Sequence, residues 1–175
     1  MNMIVLDFEG TVRKGIREAA FLIVRQGEIV QSKEFIEKEE SSNNINEEII
    51  NFLSNCQNGI PEILCAHNSI VEKNFLKGIM PYKTVNKENI KLSNKWGPWL
   101  DTLYVYRKLY PHLKDYCLKS LVERFIDKSE LDKLANKHCN KKRLYYHNAM
   151  YDAICTMLLI NRLESKIKLE LLLIC

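Results

Sequence analysis

At 175 residues, 46% apolar and 27% charged, the chain has the length of one domain and the balance of a soluble globular fold, which sets aside disordered and membrane-embedded classes. A formal charge of +4 permits a nucleic-acid partner without demanding one. The six cysteines include no Cys-x-x-Cys pair, and Cys65 and Cys155 fall in apolar runs, where free cysteine behaves as a small hydrophobe. No signal peptide is expected, because an acidic motif interrupts the first apolar run, and the closing Leu-Leu-Leu-Ile-Cys run is too short to span a bilayer. A reducing, cytoplasmic setting without membrane contact is the expectation.

Met1 to Leu6 is apolar and ends in β-branched residues, the pattern of a strand buried on both faces. Asp7 and Glu9 follow with Phe8 between them, and Gly10 and Thr11 turn the chain. Positions i and i+2 of a strand share a face, so the two carboxylates point one way and Phe8 points back into the core. Gly15 to Val24, a Gln26-Gly27-Glu28 turn and Ile29 to Ile36 predict two more strands hairpinned on the first. Three strands with no helix between them argue against a purely parallel doubly wound order.

A polar loop over 37–46 leads into an amphipathic helix from Glu47 to Cys56, ended at Asn58-Gly59-Ile60-Pro61. Ile63 to Ala66 is the next strand and runs into His67-Asn68-Ser69. Asn68 or Ser69 caps a helix through Gly78, with Val71, Phe75 and Leu76 inside and Glu72 in the first turn. Tyr82 to Lys95 reads as irregular, and Trp96 to Thr102 as a compact turn into a helix from Thr102 to Tyr110 that Pro111 breaks. Further helices are predicted over Tyr116 to Phe125, from Ser129 to about Cys139, and from about Ala149 to Leu163. A basic loop, Lys141-Lys142-Arg143, and His147 lie on the approach to the last helix. No repeat, low-complexity tract or domain boundary is evident.

Ligands of such sheets collect at the carboxyl ends of strands. Asp7 and Glu9 sit at one such end, and Glu72 lies just beyond another. His147 and Asp152, five apart, project toward one cleft if His147 lies in the approach to its helix. Neighbouring carboxylates repel, and an acidic side chain on a docking face needs a partner or a metal. Asp7, Glu9, Glu72 and Asp152 together make an oxygen-rich site suited to magnesium or manganese. Each residue also has an ordinary reading. Glu72 fits a helix start, His147 a cap or surface position, and Asp152 a pair with Arg143 or Lys142. The basic loop fits solvent.

In order and spacing, these stretches resemble the DEDDh branch of the DnaQ-like 3′→5′ exonucleases. The family's Asp-x-Glu motif corresponds to Asp7 and Glu9 in Val-Leu-Asp-Phe-Glu-Gly-Thr. Its His-Asn-x-x-Phe-Asp motif corresponds to Ala66-His67-Asn68-Ser69-Ile70-Val71-Glu72, with Glu72 where the family has Asp. Its His-x-x-x-x-Asp motif corresponds to His147-Asn148-Ala149-Met150-Tyr151-Asp152, and Asp101-Thr102-Leu103 matches a supporting stretch. The resemblance spans nearly the whole chain. Two departures stand out: Glu72 adds a methylene, and Gly10 replaces a frequent Thr.

The resemblance implies an α/β, ribonuclease H-like fold, a mixed central β-sheet flanked by α-helices, with residues 1–175 as a single 3′→5′ exonuclease domain. It implies two divalent cations, Mg2+ or Mn2+, on Asp7, Glu9, Glu72 and Asp152, with His147 as general base. Asp7 would bridge both ions, and nucleoside 5′-monophosphates would be released. The substrate is expected to be DNA or RNA with a free 3′ end, single-stranded or frayed. Gly10, Thr11, Val12 and Asn68 would flank the terminal nucleotide, and Lys141, Lys142 and Arg143 would meet the backbone. A rival resemblance is to the haloacid-dehalogenase-like phosphatases, through Leu6-Asp7-Phe8-Glu9-Gly10-Thr11. Against it, Glu9 replaces that motif's second Asp and no late paired acidic motif follows a strand. A catalytically silent nucleic-acid-binding module is the third expectation, and it rests on Glu72.

Overall fold

β1 (Asn2–Thr11), β2 (Gly15–Arg25) and β3 (Glu28–Ile36) form the antiparallel meander that the hairpin signals predict. The computed structural model describes residues 1–11, 13–37, 44–56, 63–79, 83–86, 89–92 and 97–174. After the meander come α1 (Ile45–Cys56), β4 (Ile63–Ala66) and α2 (Ile70–Ile79). Next are β5 (Lys83–Asn86), β6 (Asn89–Leu92) and β7 (Trp99–Asp101). Four helices follow: α3 (Thr102–Leu109), α4 (Leu118–Phe125), α5 (Lys128–His138) and α6 (Ala149–Glu164). The main sheet runs β3-β2-β1-β4-β7, with β4 parallel to both β1 and β7. Among the described residues it is a mixed five-stranded sheet flanked by six helices.

Strand alternation divides the core in two. Met3 and Val5 of β1 face α6, in a cluster with Ala20, Leu22, Ile154 and Leu158. Ile4, Leu6 and Phe8 face the other way, against Ile49 and Leu53 of α1 and Phe75 and Leu76 of α2. Phe8 meets Phe21 and Phe75 edge-on, with ring centroids 5.7 and 6.0 Å away. Asp7 and Glu9 thus emerge on the α6 side, as the period of two requires. α6 is buried from Ala149 to Ile160 without a break, because sheet strands cover one side and α4 and α5 the other. Among the described residues no helix is long and apolar enough to cross a membrane.

Several expected boundaries shift, each for a physical reason. α1 starts at Ile45, two residues early, because Asn44 Oδ1 accepts from Asn46 N at 3.0 Å. α4 starts at Leu118 and not Tyr116, because Asp115 Oδ1 accepts from Cys117 N at 2.9 Å and holds the preceding residues in a turn. The stretch read as irregular contains β5 and β6, paired antiparallel from Lys83–Leu92 to Asn86–Asn89. Each has too few apolar residues for periodicity to reveal it. The compact turn at Trp99–Asp101 is instead a strand. Three residues are too few to show alternation, and they extend because β4 offers an open parallel edge. Ile174 closes the far side, exchanging two 2.8 Å backbone hydrogen bonds with Trp99.

Candidate active site

The carboxyl ends of β1 and β4 and the start of α6 meet at one cleft of about 430 Å³, lined by Asp7, His67, Asn68, Tyr116, His147 and Asp152 among others. At its floor the Asp7 carboxyl is held well above the usual carboxylate range. Burial is the main cause, followed by the Asp152, Glu72, Glu9 and Glu18 carboxylates. The four acidic residues singled out in the sequence therefore converge. Glu9, His147 and Asp152 each bring a ligand atom within 4.8 Å of the other two.

Glu72 occupies the inward position of the first turn of α2. Val71, expected there, is 38% exposed, whereas Glu72 is 3% exposed. The inner face reads Glu72, Phe75, Leu76 and Ile79, an i, i+3, i+4, i+7 stripe that skips Val71. Burial pushes the Glu72 carboxyl up to about 8; Asp101 and Glu9 add to this, and hydrogen bonds from the Glu72 and Phe8 backbones oppose it. The longer side chain thus stays inside and does not overshoot into solvent.

Asp152 sits one turn into α6. Its Oδ2 accepts from the backbone N–H of His147 at 3.0 Å. Burial raises its carboxyl to about 7, against the lowering effect of that hydrogen bond. Glu9 is raised too, first by burial, while His147 and Arg17 pull it back. His147 itself is exposed and holds a left-handed backbone, φ 67°. The ordinary pairing of Asp152 with Arg143 does not form, because Arg143 reaches Glu18 and Asn148 instead.

Three buried carboxylate oxygens here have no hydrogen-bond partner: Asp7 Oδ2, Glu72 Oε2 and Asp152 Oδ1. Buried polar atoms are nearly always satisfied, so three orphans on converging like charges mark a place built for something else. An all-oxygen donor set beside the His147 imidazole fits a hard divalent cation.

The other sequence candidates are placed as follows. Gly10 stands at a bulge in the β1–β2 ladder, and a Cβ there would lie 2.2 Å from Gly15 O, so hairpin packing alone demands glycine. Thr11 is exposed, its Oγ1 accepting from Lys14 N at 3.1 Å. Val12 lies outside the described residues. Asn68 adopts φ 65° at the cleft rim, and its N–H donates to Asp101 Oδ1 at 3.1 Å. Lys141 and Lys142 are exposed on the turn before α6.

Three residues were missed as site components. Glu18 faces Glu9 directly across the β1–β2 ladder, a position legible only once the bulge fixes the register. His67 lines the cleft, with Nδ1 2.8 Å from Thr102 Oγ1, and burial lowers its pKa. Asp101 ties the His67–Ser69 turn to α3; its place in the Asp-Thr-Leu stretch was the available signal.

No family model matches the chain, and no curated protein does. Solved structures do. One is exonuclease X in complex with 5′ overhanging duplex DNA, at 18% identity and a TM-score of 0.63, covering 96% of this chain and 95% of that one. The fold is ribonuclease H-like. A moderately thermophilic exonuclease I from Methylocaldum szegediense also matches, at 13% identity and a TM-score of 0.54, covering 94% of this chain and 40% of that one. The ribonuclease H-like sheet accounts for the placement of the cleft. β1 is its central strand, and the crossover to parallel β4 opens a crevice beyond the carboxyl ends of both.

Proposed function

We propose that residues 1–175 act as one DEDDh-type 3′→5′ exonuclease domain that hydrolyses phosphodiester bonds of DNA or RNA from a free 3′ end. The observation that carries this reading is that Asp7 and Asp152 line one cleft with Glu72 buried close enough to act on Asp7, and each of the three keeps a buried, unpartnered oxygen. Asp7, Glu9, Glu72 and Asp152 are the residues that would hold two divalent cations, Mg2+ or Mn2+. Such ions, when bound, supply Lewis-acid stabilisation of charge on the phosphoryl oxygens. The cost of burying the Asp7, Glu72 and Asp152 carboxyls, with their mutual repulsion added to it, is the energy that cation binding would recover.

His147 takes the proton of the attacking water at the ring nitrogen that lies within 4.8 Å of Glu9 and Asp152 oxygens. The backbone N–H of His147 donates to Asp152 Oδ2, which ties the residue, not the ring, to the start of α6. Water adds to phosphorus as the bond to the 3′ oxygen breaks, that oxygen is protonated, and a nucleoside 5′-monophosphate leaves. On this reading Asn68, which lines the cleft, would flank the terminal nucleotide together with Thr11 and Gly10, and Lys141 and Lys142 would meet phosphates. Exonuclease X is described with an overhanging DNA duplex; for this chain a single-stranded or frayed 3′ end suits an open cleft.

The test is incubation of 5′-labelled single-stranded DNA and RNA with Mg2+ or Mn2+. Stepwise shortening from the 3′ end is expected. Phosphate release from small phosphomonoesters without shortening would replace the reading with the phosphatase one, and binding without hydrolysis would replace it with a silent module. His147→Ala is expected to lose ~10²–10⁴-fold in turnover and to keep its affinity for the oligonucleotide.

A further inference from the structure

A single guanidinium ties the approach of α6 to the strand behind Glu9. Arg143 Nη2 donates to Glu18 Oε2, and Arg143 Nε donates to Asn148 Oδ1 at 2.7 Å. Both side chains of the ion pair are largely buried, 18% exposed for Arg143 and 10% for Glu18. Asn148 is the N-cap residue of α6, yet its side chain makes no capping bond. It turns to Arg143 instead, and its Nδ2 donates to Tyr145 O at 2.9 Å. His147 lies between Tyr145 and Asn148, in a left-handed conformation that a non-glycine residue keeps only where its surroundings hold it. Glu18, the other end of the tie, stands directly opposite Glu9, and Arg17 touches both, with Nε 3.1 Å from Glu18 and Nη2 3.9 Å from Glu9.

We propose that Arg143 is a positioning residue, which through Glu18 and Asn148 sets the place of His147 against Glu9 and Asp152. It is not a phosphate contact. The inference rests on the exonuclease reading for its consequence in turnover, and on the geometry alone for the tie itself. The planar fork is essential, because two acceptors on different elements are met in fixed directions, which an ammonium cannot reproduce.

The experiment compares natural protein, Arg143→Lys, Asn148→Ala, the single variants Glu18→Gln and Arg143→Gln, and the double variant Glu18→Gln/Arg143→Gln. Each is assayed for 3′ shortening at several salt concentrations and for thermal unfolding. Arg143→Lys and Asn148→Ala are expected to lose ~10–10²-fold in kcat, the scale of a misplaced catalytic group, with KM unchanged. In Arg143→Gln, which removes the charge, the salt dependence of KM should stay the same. An unchanged kcat in both, or a raised KM in Arg143→Gln with a salt slope reduced by about one, would overturn the proposal in favour of solvent or phosphate contact respectively. Asn148→Ala leaves the ion pair whole, so the turnover test survives if Arg143→Lys fails to fold. If the natural protein shortens no 3′ end, the nuclease reading falls, and the tie is judged by the double-mutant cycle on melting temperature. Glu18→Gln and Arg143→Gln should then be strongly non-additive, and simple additivity would overturn the tie.

Discussion

β1 and β7 lie two strands apart in the sheet, and each carries an aspartate toward its carboxyl end, but the two side chains have opposite fates. Asp101 on β7 is fully engaged. Its Oδ2 accepts from Ser69 N at 2.8 Å and Ser69 Oγ at 2.9 Å, and its Oδ1 from Asn68 N, Leu103 N and Tyr104 N at 2.9–3.3 Å. Asp7 on β1 keeps a buried oxygen with no partner and is surrounded by four other carboxylates. The same residue type in nearly the same setting is a structural clamp in one case and, in the other, a buried carboxyl left without a partner among like charges. What separates them is hydrogen-bond satisfaction, which costs nothing to read and has direct energetic meaning.

The sharpest way to break the comparison is to remove each charge. Asp7→Asn should lower hydrolysis by ~10³-fold or more, several kcal/mol of transition-state stabilisation. The same change should raise the melting temperature of the cation-free protein, because it relieves repulsion. Asp101→Ala should do the reverse to stability. Stranding at least two buried N–H donors at ~1–3 kcal/mol each should lower the melting temperature by roughly 5–15 °C. Calorimetry with and without Mg2+ distinguishes the two. A melting temperature that falls in both variants would erase the distinction.

Glu72 tests how far the repelling cluster extends. Its carboxylate is buried and its Oε2 unpartnered, so Glu72→Gln should cost most of the activity at limiting Mg2+, since a neutral amide is a poor ligand for a hard cation. Glu72→Asp gives the length of the aspartate in the exonuclease motif that this stretch resembles and should remain active. Activity titrated against Mg2+ and Mn2+ for the three proteins reads this directly. Equal activity of natural protein and Glu72→Gln would remove Glu72 from the cluster.

The smallest effect is in pH. Glu72 is raised from 4.5 to about 8 and Asp152 from 3.8 to about 7. Between the ordinary carboxylate range and those values the native state binds more protons than the unfolded chain, so stability falls as pH rises through that window. The cation-free protein should therefore melt several degrees higher near pH 5.5 than near pH 8, at ~2–4 °C per kcal/mol for a chain of this size. Saturating Mg2+ should shrink that gap, and Glu72→Gln should reduce it while Asp152 keeps the rest. A melting temperature that rises with pH would contradict the burial of these carboxyls as the dominant effect.

Much of this was legible locally. The apolar run of β1, the alternation that sends Phe8 inward and Asp7 and Glu9 outward, the hairpin turn at 26–27, and the six helices all follow from backbone periodicity and turn chemistry, which act over a few residues. So did the identity of the converging carboxylates, because their spacing along the chain survives without any knowledge of contacts. β5, β6 and β7 were not legible, since short strands exist through partners distant in sequence, as when β4 and Ile174 extend Trp99–Asp101. The inward turn of Glu72 in place of Val71 was likewise hidden, because a helix of this length is rotated by what it docks against. Arg143 shows the limit most clearly. In sequence it is one of three neighbouring cations, and only the fold brings Glu18, 125 residues away, into its reach. A charge declares its sign in the sequence, but its partner is chosen by tertiary distance, and that choice separates Arg143 from Lys141 and Lys142.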